Sequence, residues 1–296
     1  MKKILFIPLV FIVVLLIDVL WRCITIYSHS CEHENGHYSM YYTKQPAEVV
    51  VVGASRALHN YDCSMIQDSL GLQTLNLGAD GMGIGQQYLS FLRILENGCL
   101  KMCIYDLAPA QLQKPLAFNG KDIAFTPFYW ENDSVKALLD YVYSPFRNLR
   151  YLSALVQYNN TYVPVLTAIA RRNSEPLLVN NGTELLPYIG EPFMDEIEDD
   201  ITEFIPDEKA LNIFNRMVGL CKSNNIRLVL VTSPILYKTP RFNKWLENFS
   251  TKEGVEYYDY SGYTEVVEDR TLFKDKDHIN SKGAELFTQD FITKLQ

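Results

Sequence analysis

A chain of 296 residues with 48% hydrophobic content carries ample material for a folded core and is not a disordered tail. Its formal net charge of −8, with no cluster of Lys and Arg, excludes a surface that tracks phosphates, so no nucleic-acid partner is expected.

Lys2 and Lys3 precede an apolar run from Ile4 to Trp21 that only Pro8 and Asp18 interrupt. As a helix this run is about 27 Å long, enough to cross a bilayer. A cleaved signal peptide would end in a small-residue site, and Val19 to Cys23 offers none. Arg22 also stands where a lipoprotein signal needs a small residue before Cys23. Residues 1–22 are therefore expected to be an uncleaved anchor in the lipid bilayer, with the two lysines in the cytoplasm and the rest of the chain outside. Residues 23–46 are polar and end at Pro46, as a juxtamembrane stalk would. His29, Cys31, His33 and His37 could ligate zinc or copper, but a flexible stalk seldom preorganises ligands. No metal and no cofactor is expected. The six cysteines (Cys23, Cys31, Cys63, Cys99, Cys103, Cys221) show no CxxC and no framework spacing, and Cys99 and Cys103, which flank or lie on an expected buried strand, read as small apolar core residues. A location outside would permit a disulfide, with no pair singled out.

From residue 47 the pattern is that of a folded domain. Glu48 to Val52 is a β-branched run leading into Gly53-Ala54-Ser55, a buried strand handing over to a turn and helix. A second strand, Thr74 to Leu77, ends at a glycine-rich segment from Gly78 to Gly85, followed by helical spacing over Gln86 to Glu96 and strand character over Leu100 to Leu107. The alternation resumes near Pro206: a helix from Asp207 to Ser223, a strand from Arg227 to Val231, a helix near Asn243 to Thr251, a strand from Val255 to Tyr258, and a final helix from Ser281 to Leu295. Strands alternating with helices predict an α/β fold with a mostly parallel sheet, covered on both faces.

Residues 108–205 break this alternation with an aromatic-rich, largely helical insert that includes Phe125, Phe128, Tyr129, Trp130, Tyr141, Tyr143, Phe146, Tyr151, Tyr158 and Tyr162. These aromatics are either the core of a helical subdomain or, through Trp130, a wall on which a substrate glycan stacks. The acidic stretch from Glu191 to Glu203 reads as a solvated loop rather than a metal site.

A serine becomes a useful nucleophile only when a base takes its proton and donors hold the oxyanion. Ser55 follows a buried strand and begins a helix, where ligands bind in open α/β folds, although a helix N-cap is its plainest explanation. Gly78 would let a backbone N–H approach a ligand closely. A dinucleotide loop is not supported, because the G-x-G-x-x-G spacing fails at Gln86. Asp275 lies three residues before His278, just ahead of the last helix, so one loop can supply the base and the carboxylate that orients it. Asp277 is a competing carboxylate. Arg56 is placed to bind an anionic substrate group or to make an outward-facing ion pair, and His59 is expected at the surface of the following helix.

These blocks carry a family resemblance. Val52-Gly53-Ala54-Ser55-Arg56 resembles the nucleophile block of SGNH (GDSL-like) hydrolases in a G-[SA]-S-R form; Asn76-Leu77-Gly78 resembles their glycine block; and Asp275-x-x-His278 with Asn280 and Gly283 resembles their terminal block. The chain is most similar to the membrane-anchored branch of the DltD and alginate O-acetylation type. The resemblance covers residues 48–107 and 207–296 and implies a three-layer, flavodoxin-like SGNH fold over 47–296. It further implies a catalytic Ser55–His278–Asp275 triad, an oxyanion hole from the N–H groups of Ser55 and Gly78, and acyl transfer on an envelope polysaccharide beside a membrane-bound O-acyltransferase. One block departs from the pattern: where the family carries an asparagine that completes the oxyanion hole, the strand end reads Ile104-Tyr105-Asp106-Leu107-Ala108-Pro109. The expectation is thus an extracytoplasmic serine esterase or O-acyltransferase, acetyl being the expected group. The alternative is an inactive glycan-binding or assembly subunit.

Overall fold

Four consecutive valines, Val49–Val52, form strand β1, and all four are fully buried because both faces of the strand are covered. The computed structural model describes residues 2–30, 46–96, 98–113, 125, 129–130, 132–143, 149–157, 162–170, 179–197 and 203–296. It contains two compact units, one built from Met1–Thr43 and Asp122–Leu177, the other from Lys44–Lys121 and Leu178–Gln296.

In the second unit β1 is joined by β2 (Thr74–Asn76), β3 (Met102–Asp106), β4 (Arg227–Thr232) and β5 (Glu256–Asp259) in the order β2-β1-β3-β4-β5. Every pairing is parallel, with Val49 opposite both Thr74 and Met102. The α/β expectation holds, and each strand falls within a residue or two of its expected bounds. On one face Val49, Val51, Ile104, Val229 and Val231 pack with Phe287 and Phe291 of the last helix, Ser281–Leu295. On the other face Tyr105 meets Phe214 of the helix Glu208–Ser223, with ring centroids 5.8 Å apart, and its hydroxyl donates to Gln87 of the helix Ile84–Leu95. Alternation along β3 thus feeds both layers. The sheet unit also takes in Pro109–Leu112 and the segment that begins at the 3₁₀ turn Val179–Gly182, so the separate unit within the insert is narrower than residues 108–205.

The first unit is built on one long helix, Lys2–Ser30, whose stretch Ile7–Ser28 is long and apolar enough to cross a membrane. The helix continues past residue 22 into the expected stalk, of which Cys31, His33 and His37 lie outside the described residues. With it are the helices Asp133–Val142, Ala154–Gln157 and Tyr162–Ala170 and the 3₁₀ turn Leu149–Leu152. Phe125, Tyr129 and Tyr151 are buried in this unit, Tyr129 and Tyr151 with ring centroids 4.9 Å apart, so these insert aromatics are core. Phe128, Phe146 and Tyr158 lie outside the described residues.

Of the cysteines, Cys63, Cys103 and Cys221 are buried, and Cys99 donates its thiol to the Ala47 carbonyl. No disulfide joins the described cysteines.

Candidate active site

Parallel strands that end on the same side gather the loops after them into one crevice. A cavity of about 230 Å³ opens there, lined by residues that follow β1 (Ala54, Ser55, Arg56), β2 (Gly81, Met82), β3 (Ala108, Ala110, Gln111) and β4 (Tyr237), with Asp277 and His278.

Ser55 is the first residue of the helix Ser55–Asn60, and the N-cap position belongs to Ala54. Its hydroxyl is therefore not spent on capping. It lies 2.7 Å from His278 Nε2, while His278 Nδ1 lies 2.8 Å from Asp275 Oδ1. The terminal loop is held by local bonds. Asp275 Oδ1 also accepts the backbone N–H groups of Asp277 and His278, and Asn280 caps the last helix by accepting from Lys282 and Gly283 while donating to the Thr271 carbonyl. A side chain at Gly283 would meet the Leu272 carbonyl at 2.9 Å, which accounts for the glycine. Burial pushes the Asp275 carboxyl up, but the His278 side chain and the two amides outweigh it and hold it below its ordinary value. The stability this supplies is present above the unfolded-state value and is lost as pH falls through the folded one.

The competing carboxylate is taken elsewhere: Asp277 Oδ1 accepts from the Tyr237 hydroxyl at 2.6 Å. Asn60, unremarked in the sequence, donates to the Ser233 hydroxyl and accepts from the Ile279 N–H, tying the Ser55 helix to both the β4 loop and the His278 loop. A single buried asparagine between three separate segments has no local sequence signal.

Three expectations need correction. The Gly78 N–H donates to Asn76 Oδ1 at 2.8 Å and so is directed at that side chain. The glycine is required instead because a Cβ would sit 2.5 Å from the Leu58 backbone nitrogen. Gly81 lines the Ser55 cavity in its place, at φ 60° in a turn closed by Met82 N–H to Ala79 C=O, a conformation that favours glycine. His59 is buried rather than superficial, its Nδ1 2.6 Å from the Glu184 carbonyl and its ring edge-on to His278 with centroids 5.5 Å apart. Arg56 does not face outward: Nη2 donates to Asp106 Oδ1 at 2.8 Å and to the Leu107 carbonyl, and both partners of the ion pair are buried. Trp130 belongs to the other compact unit, where Nε1 donates to the Tyr151 carbonyl.

Asp106, at the end of β3, is occupied on both oxygens, since Tyr61 donates to Oδ2 at 2.9 Å. Burial, with Asp106 beside it, pushes the Tyr61 phenol well above its ordinary value, so it remains a donor. Burial opposes the Arg56 charge, and the field of Asp106 more than restores it. Arg56 Nη1 is buried with no hydrogen-bond partner.

No protein-family profile matches this chain. No curated protein matches it in sequence. Among solved structures it is similar to a provisionally named acylhydrolase from Bacteroides fragilis NCTC 9343, at 14% identity over 89% of this chain and 97% of that one, with a TM-score of 0.42. It is likewise similar to a GDSL-like lipase from Bacteroides thetaiotaomicron VPI-5482, at 11% identity over 87% of this chain and 95% of that one, with a TM-score of 0.41. The chain itself is an α/β protein in which Ser55, His278 and Asp275, brought from opposite ends of the domain, share one continuous line of hydrogen bonds at the carboxyl edge of a parallel sheet.

Proposed function

We propose that this protein is a serine esterase or O-acyltransferase working through an acyl-enzyme on Ser55. The observation that carries the reading is the line Ser55 Oγ, His278 Nε2, His278 Nδ1, Asp275, with each contact under 3 Å. Ser55 Oγ attacks the acyl carbonyl carbon as His278 Nε2 takes its proton. The tetrahedral intermediate then expels the alcohol oxygen, which receives that proton from His278. Water or a sugar hydroxyl attacks the acyl-enzyme in the second half, again losing its proton to His278, and the second tetrahedral intermediate collapses by breaking the Ser55 ester as Ser55 Oγ takes that proton back. Asp275 keeps Nδ1 protonated and stabilises the imidazolium.

The cavity is smaller than those that hold drug-sized ligands, and Ala54, Ala108, Ala110 and Met82 give it apolar walls, which suits a short acyl group such as acetyl. First-turn N–H groups of a helix have no intrahelical partner, so the Ser55 N–H is one donor to the oxyanion. For the second we assign Arg56 Nη1. Because Asp106 matches the guanidinium charge, Arg56 would bring the acyl oxygen an N–H rather than a net positive charge, once a shift of the side chain uncovers the buried Nη1. That suits a carbonyl oxygen on its way to oxyanion better than an anionic substrate.

Lys2, Lys3 and the apolar helix support a single membrane span with the catalytic unit outside, where the acceptor would be an envelope polysaccharide and the acyl supplier a membrane-bound O-acyltransferase. Protease added to intact spheroplasts is expected to digest the sheet unit; full protection would refute this orientation.

The missing asparagine favours a second reading, a non-catalytic glycan-binding or assembly subunit. A fluorophosphonate probe separates the two. The full-length protein is expected to label covalently and Ser55→Ala not to label. A folded wild-type protein that never labels would leave the subunit reading.

A further inference from the structure

The part of the insert that belongs to the first unit is bonded to the apolar N-terminal helix. Asp18, the one acidic residue of that helix, accepts from the Ser153 hydroxyl at 2.6 Å and from the Leu155 N–H at 3.0 Å, at the start of the helix Ala154–Gln157. One turn further on, Arg22 donates through Nη2 to the carbonyls of Tyr151 and Leu152. The Tyr151 carbonyl also accepts from Trp130 Nε1, so Trp130 lies at the level of Arg22. Around these bonds the insert leaves Trp130, Leu152, Val156 and Leu166 more than half exposed, and Ile7 to Leu20 of the helix is apolar and bare apart from Asp18.

Helix geometry supplies the depth. Counting from Ile4 at the inner edge, Asp18 lies about 21 Å and Arg22 about 27 Å along a helix, inside or at the rim of a hydrocarbon layer about 30 Å thick. Segments hydrogen-bonded to those two side chains share their depth. An exposed tryptophan at that rim, with aliphatic side chains beside it, matches the aromatic belt at a membrane interface.

We propose that the insert is a membrane-seated element, in which Trp130 and the exposed aliphatics Leu152, Val156 and Leu166 sit in the outer-leaflet interface while Ser153 and Leu155 cover the Asp18 carboxylate from lipid. The proposal rests on the reading that Lys2–Ser30 spans a bilayer. The partner is the lipid itself rather than a glycan or a second copy of the chain.

The chain's three tryptophans separate the alternatives. Trp21 reports the anchor, Trp130 the insert, and Trp245, on the helix Pro240–Glu253, the sheet unit. Variants retaining one tryptophan each, the others replaced by Phe, are reconstituted full-length in nanodiscs of phosphatidylcholine brominated at shallow acyl positions and, for comparison, unbrominated lipid. The expected result is that Trp21 and Trp130 each lose at least half their emission in brominated lipid while Trp245 is unchanged. Adding Leu152→Asp and Val156→Asp should halve the Trp130 quenching and leave that of Trp21. Quenching of Trp21 without Trp130 would overturn the proposal with the anchor standing. If neither is quenched the anchor reading fails, and the proposal fails with it.

Discussion

Ser55→Ala and His278→Ala are each expected to lower ester turnover by on the order of 10⁴-fold to 10⁶-fold, to a shared floor, because a nucleophile and its base act as one unit. The double variant should be no worse than either single one. Asp275→Asn should be milder than either, since Ser55 and His278 remain, although the imidazole loses the carboxylate that fixes its tautomer. Asp277→Asn bears on a different contact, the Tyr237 hydroxyl, and should leave most of the rate. Turnover of a short-chain aryl ester by purified full-length protein measures all of these. Retention of more than about a tenth of the wild-type rate in Ser55→Ala would remove Ser55 from the chemistry, whatever its distance from His278.

The second large effect belongs to the ion pair beneath the cavity. Arg56 and Asp106 have side chains 6% and 1% exposed, so removing one partner leaves the other charge buried without its counterion. Arg56→Ala and Asp106→Ala should each cost roughly 3–5 kcal/mol of stability. Replacing both at once by apolar residues should recover only part of the loss, because the Tyr61 hydroxyl and the Leu107 carbonyl would still lose their partners. Urea midpoints of full-length protein in detergent give the comparison. Arg56→Lys is the variant that isolates function: it keeps the charge opposite Asp106 but cannot present the planar fork that leaves Nη1 to spare. If Nη1 serves the oxyanion, turnover should fall by about 10²-fold to 10³-fold with KM little changed and the midpoint near wild type. Wild-type turnover in Arg56→Lys would return Arg56 to a purely structural role.

Much of this was legible in the linear chain, for a physical reason that differs with each feature. The parallel sheet could be read because strands buried on both faces must be continuously apolar, as Val49–Val52 is, and because helices must separate parallel neighbours. The pairing of Asp275 with His278 was legible because it is local: three residues on one loop, closed by that loop's own amides and by the Asn280 cap. What depended on the tertiary structure was the direction of individual groups. Which glycine faces the nucleophile depends on where each N–H points, and the Gly78 N–H points to Asn76 while Gly81 reaches the cavity wall. Whether Arg56 is exposed or buried depends on Asp106, 50 residues away at the end of β3. The place of Trp130 depends on a carbonyl it shares with Arg22, 108 positions earlier in the chain. Pairings at such separations leave no periodicity behind, because the residues meet only after the strands and helices between them have packed.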